Sequence, residues 1–242
     1  MKAIILVAGY ATRLYPLTKD MPKSLIEVGG KTILDHIVDE INTLEEVTDI
    51  YLISNSKFYN HFLNWSNGKN KKNIEVLDDG TDNEDNRLGA IADMWYTIEQ
   101  KKIDEDTLVI AGDNLFTYPL KKVKAYFDSK NSDVVCAKEI NDVEILKGFA
   151  VATLDENDKI TDLVEKPKIP KSNIGVYATY FYKKETLPLI KQYLDEGNKG
   201  DAPGYFTQWL YEKKEVYAYK FDGQCYDIGT FSALEAVKEL YE

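Results

Sequence analysis

The first thirty residues, MKAIILVAGYATRLYPLTKDMPKSLIEVGG, constrain the fold of this chain more than any other stretch. An apolar run at Ala3–Ala8 is too short for a helix and is typical of a strand buried on both faces. Gly9 ends the strand and lets the backbone turn without side-chain bulk. Arg13 and Lys23 follow, so free backbone N–H groups and two cations come soon after a buried strand. That combination suits a triphosphate.

The spacing is neither that of a P-loop nor that of a dinucleotide-binding fingerprint, since G-x-x-x-x-G-K-[ST] and G-x-G-x-x-G are both absent. One glycine-containing turn is common in α/β proteins and says little by itself. The longer string A-G-Y-A-T-R-L-Y-P-L-T…P-K-S-L is far more specific. It resembles the N-terminal signature of the sugar-phosphate nucleotidylyltransferases, in which a second glycine usually stands where this chain has Ala11.

Strands and helices alternate through the first half of the chain, which favours a parallel sheet with right-handed crossovers. An acidic loop at 78–86 and a polar loop at Ser66–Lys72 interrupt the pattern. The predicted strands are Asp49–Ser54, Ile74–Leu77 and Thr107–Ala111, and the predicted helices are Thr32–Glu46, Lys57–Trp65 and Arg87–Gln100.

The second half is richer in strands, which predicts a smaller antiparallel element. It would lie over the crevice beyond the carboxyl ends of the parallel strands. The predicted strands are Asp133–Lys138, Gly148–Leu154, Lys159–Glu165, Gly175–Tyr182 and Val216–Phe221, and the predicted helices are Lys184–Glu196, Ala202–Lys213 and Thr230–Glu242.

Asp113 follows a predicted strand, so it should face the same crevice as Gly9 and Arg13. An aspartate after a strand is more often a helix cap or a turn former. In V-I-A-G-D-N-L-F, however, it resembles the family's G-D-N motif, whose aspartate holds Mg²⁺. C-Y-D-I-G-T at 225–230 resembles the W-x-D-x-G-T motif, which implies Asp227 as the second metal ligand. Cys225 replaces the usual tryptophan.

Two further segments resemble the family. R-L-G-A at 87–90 matches the segment where backbone at the glycine, here Gly89, meets the nucleobase. The resemblance therefore makes the acidic loop before it, at 78–86, the place where we expect base selectivity. V-E-K-P-K-I-P-K-S-N matches the E-K-P…S-N segment, which implies that Glu165 contacts a sugar hydroxyl and Lys166 the acceptor phosphate. Alone, E-K-P is an ordinary surface tripeptide. Lys147 and Ala178 depart from the aromatic residue and the glycine that relatives carry at these places.

The resemblance implies a complete set of site residues. Arg13, Lys23, Asp113 and Lys166 would be catalytic, and Asp113 and Asp227 would hold Mg²⁺. The nucleotide-binding residues would be Leu6, Ala8, Gly9, Tyr10, Thr12, Arg13, Lys23, Gly89 and Asp113, and the acceptor-binding residues would be Asn114, Gly148, Glu165 and Lys166.

We therefore expect an α/β fold: a Rossmann-like, mostly parallel sheet flanked by helices, of the GT-A-like nucleotidyltransferase type, with a small antiparallel acceptor-binding element. Residues 1–242 would form one domain, with a nucleotide-binding half at 1–130 and an acceptor-binding half at 131–242. The implied reaction joins a nucleoside triphosphate to a sugar-1-phosphate and releases pyrophosphate. Family frequency favours dTTP or UTP.

Two other functions stay open at this point. One is a cytidylyltransferase that acts on phosphocholine or another alcohol phosphate, because the departures fall on the acceptor side. The other is a catalytically silent, nucleotide-binding regulatory protein, because Ala11 and Cys225 both depart from the family pattern.

The composition excludes several classes of partner and site. With 41 acidic and 30 basic residues among 242, the net charge of −11 argues against nonspecific nucleic-acid binding. Apolar runs stay well below the ~18 residues that a membrane helix needs. Two cysteines without a CxxC pair exclude a Cys/His zinc site. Residues 1–8 lead into the signature without a cleavage site, so we expect a cytoplasmic protein, with homo-oligomerisation left open.

Overall fold

The computed structural model describes residues 1–67 and 73–241. A nine-stranded sheet forms the centre of this part of the chain. The predicted Ser66–Lys72 loop lies largely outside these residues. The strands are β1 (Lys2–Leu6), β2 (Glu27–Val28), β3 (Lys31–Thr32), β4 (Asp49–Ser54), β5 (Asn73–Asp78), β6 (Thr107–Ala111), β7 (Asn114–Phe116), β8 (Asp133–Glu139), β9 (Ala150–Leu154), β10 (Ile160–Glu165), β11 (Ile174–Tyr182), β12 (Val216–Lys220) and β13 (Cys225–Asp227).

Helices cover both faces of this sheet. One apolar core packs α1, α2, α4 and α8 against the sheet, and a second core on the opposite face packs α3, α6 and α7. The helices are α1 (Ile33–Asn42), α2 (Tyr59–Asn67), α3 (Ala90–Lys101), α4 (Leu120–Lys130), α5 (Val143–Leu146), α6 (Leu187–Asp195), α7 (Pro203–Leu210) and α8 (Phe231–Tyr241).

The apolar run at the N-terminus forms β1, which lies between β4 and β6 and pairs in parallel with both. Leu6, at the end of β1, is in register with Ile53 of β4 and Ala111 of β6. Three strands therefore end at the same edge of the sheet, and the loops that follow them converge there. The predicted parallel sheet is confirmed.

The antiparallel strands of the second half are also confirmed, but they continue the same sheet and do not form a layer of their own. The reason is β11, which is nine residues long. One edge of β11 pairs with β9 through Ile174–Val176 and with β6 through Thr179–Tyr182, while its other edge pairs with β8. The pairing with β8 has a register shift between Tyr177 and Tyr180. This shift lies between the part of β11 that pairs with β9 and the part that pairs with β6. The sequence pattern does not show which strands share an edge.

Two elements near the crevice differ from the sequence prediction. Helix α3 begins at Ala90 and not at Arg87, because Gly89 has a φ of +92°, which is incompatible with a helix. β7 and β13 form a two-stranded antiparallel ribbon that the sequence prediction did not include. The ribbon joins segments that are more than a hundred residues apart in the chain.

No helix within residues 1–67 and 73–241 combines the length and the apolar character that crossing a membrane requires.

Gly112 gives a test of the packing at the crevice edge. A β-carbon there would lie 2.3 Å from Val7 Cγ1 and 3.1 Å from the Leu6 carbonyl oxygen. Gly112→Ala should therefore lower the free energy of unfolding by about 1–3 kcal/mol through overpacking. Urea denaturation measures the change, and Gly9→Ala is the control because no atom lies within 4 Å of a β-carbon at Gly9. Equal midpoints for the two variants would contradict this packing.

Candidate active site

The loop after β1 is held by side chains from other parts of the chain. Asn55, which is fully buried, donates from Nδ2 to the Ala8 carbonyl at 2.8 Å. Thr18 donates from its hydroxyl to the Ala11 carbonyl, also at 2.8 Å. Ala11 itself is left-handed, with φ 49° and ψ 40°. Alanine therefore replaces the family's usual glycine here but keeps the backbone conformation that favours glycine, at some cost in strain.

The same loop presents unused donors. Among the described residues, the backbone N–H groups of 9–11 make no hydrogen bond. Successive N–H groups around a left-handed residue form a concavity that binds anions. The loop is thus shaped for a phosphate group, as the sequence predicts.

These donors open into a cavity of about 360 Å³. Every predicted nucleotide-binding residue lines it. They are Leu6, Ala8, Gly9, Tyr10, Thr12, Arg13, Lys23, Gly89 and Asp113. We call this space the donor cavity.

The charged groups of the donor cavity converge on Asp113. Lys23 Nζ lies 2.5 Å from Asp113 Oδ2, with the Lys23 side chain largely buried. A β-carbon at Gly229 would lie 3.2 Å from Arg13 Nη2 and 3.4 Å from Asp227 Oδ1, so these two groups both border Gly229. Two cations and two carboxylates therefore meet beyond the ends of β1 and β6.

The β7–β13 ribbon brings Asp227 to this point, because its register pairs Asp227 with Asn114. The next residue, Ile228, donates its N–H to the Asp113 carbonyl at 3.3 Å. Solvent reaches Asp227 within the crevice, yet protein surrounds the carboxyl group, and this burial raises its pKa. The Asp113 carboxylate raises the pKa of Asp227 further, while the nearby cations lower it.

A second cavity, of about 230 Å³, adjoins the first and shares Asp113 and Asp201 with it. We call it the acceptor cavity. It is lined by all four predicted acceptor-binding residues, which are Asn114, Gly148, Glu165 and Lys166, and also by Asp227.

Glu165 and Lys166 occupy different environments in the acceptor cavity. The Glu165 side chain is 6% exposed, and burial raises its pKa. A β-carbon at Gly204 would lie 1.8 Å from Glu165 Oε2, so only glycine at the start of α7 leaves room for this carboxyl group. Lys166 is left-handed, with φ 48°, and its exposed side chain places Nζ 3.8 Å from Glu165 Oε1. Its charge is therefore available in the open crevice.

Comparison with known proteins identifies the family of the chain. The nucleotidyl transferase family matches residues 2–242. The chain belongs to that family.

The similarity extends to individual members of the nucleotidyl transferase family. The chain is 32% identical over 247 residues to the bifunctional protein GlmU of Methanocaldococcus jannaschii, covering 100% of the chain and 55% of GlmU. It is 26% identical over 256 residues to a glucose-1-phosphate adenylyltransferase of Lachnospira eligens, covering 100% of the chain and 60% of that protein. The chain thus spans little more than half the length of these curated relatives.

The fold agrees with that of a solved structure over the whole length of this chain. The solved structure is a Bacillus anthracis protein in complex with sucrose, assigned as a glucose-1-phosphate thymidylyltransferase. The TM-score is 0.79 at 25% identity, with 100% of this chain and 95% of that chain covered. The expected nucleotidyltransferase fold is confirmed.

The departures from the family pattern fall in different places. Ala178 lines the acceptor cavity at the register shift of β11. Lys147 does not line it, and its Nζ lies 2.6 Å from Glu144 Oε1 on the surface of α5. This contact is typical of a surface lysine. Cys225 lies in β13, two residues before Asp227.

Asp113 and Asp227 are compatible with Mg²⁺ but do not enclose it. Within the described part of the chain, no group of three or more His, Cys, Asp or Glu side chains is arranged to hold a metal. Mg²⁺ is usually bound by one or two carboxylates together with substrate phosphates and water. Two neighbouring carboxylates beside a phosphate-binding loop fit this pattern.

A buried pair of carboxyl groups, Asp79 and Asp93, also lines the donor cavity. Sequence reasoning pointed to the acidic loop that contains Asp79, but it missed Asp93 and the pairing of the two. Asp93 lies on α3 and is 4% exposed. Burial, and then the Asp79 carboxylate, raise the pKa of Asp93 to about 8. The signal in the sequence is an aspartate on the apolar face of a helix, in A-I-A-D-M-W, where a core residue is expected.

The raised pKa of Asp93 predicts a pH dependence of stability. The folded chain keeps a proton on Asp93 that an unfolded aspartate releases near pH ~4, so this group lowers the free energy of unfolding as the pH rises from about 4 to about 8. Asp93→Asn cannot ionise. Its stability relative to wild type should therefore increase between pH 5 and pH 8, as measured by urea denaturation at each pH.

The control for this measurement is Asp78→Asn, the neighbouring carboxylate, which does not line the donor cavity. It separates the loss of one acidic group near this end of the sheet from an effect specific to the buried Asp93. A constant difference between wild type and Asp93→Asn across this range would show that Asp93 is not protonated in the folded chain.

Proposed function

We propose that the chain is a sugar-phosphate nucleotidylyltransferase, which joins a nucleoside triphosphate to a sugar-1-phosphate and releases pyrophosphate. The observation that carries this proposal is the meeting of two cavities at Asp113. One cavity contains the phosphate loop with Arg13 and Lys23, and the other contains Lys166. Two phosphorylated substrates placed in these cavities would bring their phosphate groups together at the carboxylate pair.

The chemistry needs charge neutralisation more than it needs a base. An oxygen of the acceptor phosphate attacks the α-phosphorus, the bond to the β-phosphate breaks, and pyrophosphate leaves with the electron pair. The attacking phosphate is already ionised near neutral pH, because its second pKa is about 6. No protein group has to remove a proton, and positioning and electrostatics supply the rate.

Each cation has a role that follows from its place. Lys166 would hold the acceptor phosphate, because it is the one cation among the described residues that lines the acceptor cavity. Lys23 would stabilise charge around the α-phosphorus after exchanging its contact with Asp113 for the substrate. Arg13 would bind the β- and γ-phosphates with its planar guanidinium and assist the leaving pyrophosphate. Mg²⁺ held by Asp113 and Asp227 would neutralise charge on the phosphate oxygens.

The base of the donor is not settled by resemblance. Family frequency favours dTTP or UTP, but the similar proteins include an adenylyltransferase and an assigned thymidylyltransferase. The contacts of the donor cavity itself are a better guide.

A second acceptor class is favoured by one observation. Three aromatic side chains, Phe149, Tyr177 and Tyr180, line the acceptor cavity with Glu165. The rings of Phe149 and Tyr177 are 4.8 Å apart. Aromatic faces with a carboxyl group suit a quaternary ammonium group as well as a sugar, so a cytidylyltransferase acting on phosphocholine is the alternative.

A pyrophosphate-release screen tests the proposal. Five triphosphates would be combined with a panel of sugar-1-phosphates, phosphocholine and other alcohol phosphates, with Mg²⁺ and with EDTA. We expect turnover of a sugar-1-phosphate that is lost with EDTA. Turnover of phosphocholine alone would favour the alternative. Tight nucleotide binding without turnover, in protein that circular dichroism shows to be folded, would favour a silent nucleotide-binding protein.

The division of the crevice predicts separate kinetic effects for two cations. Lys166→Ala should lower kcat/KM for the acceptor about 10- to 100-fold, because a hydrogen bond to a charged group is lost. The KM of the triphosphate should stay nearly unchanged. Arg13→Ala should instead weaken triphosphate binding. Steady-state kinetics with each substrate varied in turn separates the two effects.

Lys147→Ala is the matched control, because Lys147 is a nearby lysine that does not line either cavity. Its kinetics should match those of wild type. The division would be wrong if Lys166→Ala raised the KM of the triphosphate and left that of the acceptor unchanged.

A further inference from the structure

The donor cavity is electrostatically divided. Arg13 and Lys23 lower the pKa of Asp227 at the crevice centre. The pKa of Asp93, in contrast, responds only to burial and to Asp79. Arg87, at the rim, is 3.0 Å from Glu84 and 3.5 Å from an Asp201 oxygen, so carboxylates already balance its charge. If the proposed function holds, the phosphates occupy the cationic end, and the uncharged base lies at the end with the buried carboxyl pair.

Asp79 has an acceptor site that the described residues do not fill. Its Oδ1 accepts from both the N–H and the hydroxyl of Thr81, each at 2.7 Å. Within residues 1–67 and 73–241, no other group donates a hydrogen bond to the Asp79 carboxylate, apart from the Asp93 carboxyl group that contacts it. An ionised carboxylate offers about four acceptor positions. Asp79 is 9% exposed and lines the donor cavity, so a bound ligand can reach it.

Asp93 supplies a proton and not a charge. In the described part of the chain, no donor reaches its buried Oδ1. Its neighbour Asp79 is also an acceptor, so the two carboxyl groups are compatible only when one proton lies between them. The raised pKa of Asp93 agrees with a neutral acid that donates to Asp79. Asp93 thereby helps to hold the Asp79 carboxylate in place, as Thr81 does.

We infer that this acid pair selects the base of the triphosphate: Asp79 accepts a hydrogen bond from an exocyclic amino group, with Asp93 as its positioning residue. The site therefore prefers a base that carries an amino group, which is adenine, cytosine or guanine, over uracil and thymine.

The physical reason is the pattern of donors and acceptors on the bases. Cytosine has an amino donor at the position where uracil and thymine have a carbonyl acceptor. A carbonyl oxygen that faces Asp79 would set two acceptors against each other in a place with little water, and both would stay unpaired. Sites built to bond a polar group reject an analogue that lacks it more strongly than sites that select by size.

Calorimetric titration with matched triphosphates tests the inference on wild-type protein. CTP and UTP differ at the amino position of the pyrimidine, ATP and ITP at the purine 6-position, and GTP and ITP at the 2-position. The tightest-binding triphosphate should carry an amino group, and its loss should raise Kd by about 10-fold or more. The inference is overturned if UTP or dTTP binds most tightly, or if loss of the amino group leaves Kd unchanged.

Two variants test which residue reads the base. Asp79→Asn places an amide donor where a carbonyl can accept, so the preference for the amino partner should shrink towards equality or reverse. Asp93→Ala should also reduce the preference, and Asp93→Asn should restore much of it because its amide N–H can donate to Asp79. A preference that all three variants leave unchanged would contradict the assignment.

Asp78→Asn is the control for these variants. Asp78 binds the Ser56 hydroxyl at 2.7 Å and the Gly80 N–H at 2.9 Å, outside the donor cavity, so the Kd ratio should not move. The wild-type pairs decide the question even if a variant fails to fold.

Binding and turnover also separate this inference from the proposed function. Turnover with UTP as the preferred donor would overturn the base assignment and leave the nucleotidylyltransferase proposal intact. Preferential binding of an amino-bearing triphosphate without turnover of any acceptor would do the opposite.

Discussion

The two parallel pairings of β1 set the position of everything that follows. Because β1 lies between β4 and β6 and ends in register with both, the phosphate loop, the Asn55 turn and Asp113 all emerge at one edge of the sheet. The chain then secures that edge with contacts from distant segments, such as the hydrogen bond from Asn55 to Ala8. A shift of β1 by one residue would reverse which side chains face each core. The crevice is therefore a consequence of strand register.

The crevice concentrates like charges, and the fold uses two different means to tolerate them. At the centre, Asp113 and Asp227 are close to Lys23 and Arg13, so opposite charges offset the repulsion and solvent still has access. At the far end, no cation of the described residues acts on Asp93, and burial together with the Asp79 carboxylate raises its pKa. The first pair is suited to a metal ion and phosphates, and the second to a neutral hydrogen-bonding ligand. The difference follows from burial and neighbouring charge, since all four residues are the same amino acid.

Much of the fold was predictable from local patterns. The buried strand at the N-terminus, the alternation of strands and helices and the antiparallel strands of the second half are visible as periodicity in the sequence. The residues predicted for the site all line the two cavities, because most of the motifs that carry them lie at the ends of strands. The predicted start of helix α3, at Arg87, is too early. The sequence does not reveal that Gly89 takes a positive φ and packs against Gly200.

The sequence by itself determined the strands, the phosphate loop and the chemistry available at each motif, since these depend on residues that are near one another in the chain. Tertiary structure alone decided which motifs meet. It joined β13 to β7 across more than a hundred residues, continued the antiparallel strands into the main sheet through β11, and placed Asp79 beside Asp93. The physical reason is that hydrogen-bond register and burial between distant segments set these neighbours. The pKa of a carboxyl group shifts according to the burial and the neighbours that the fold gives it.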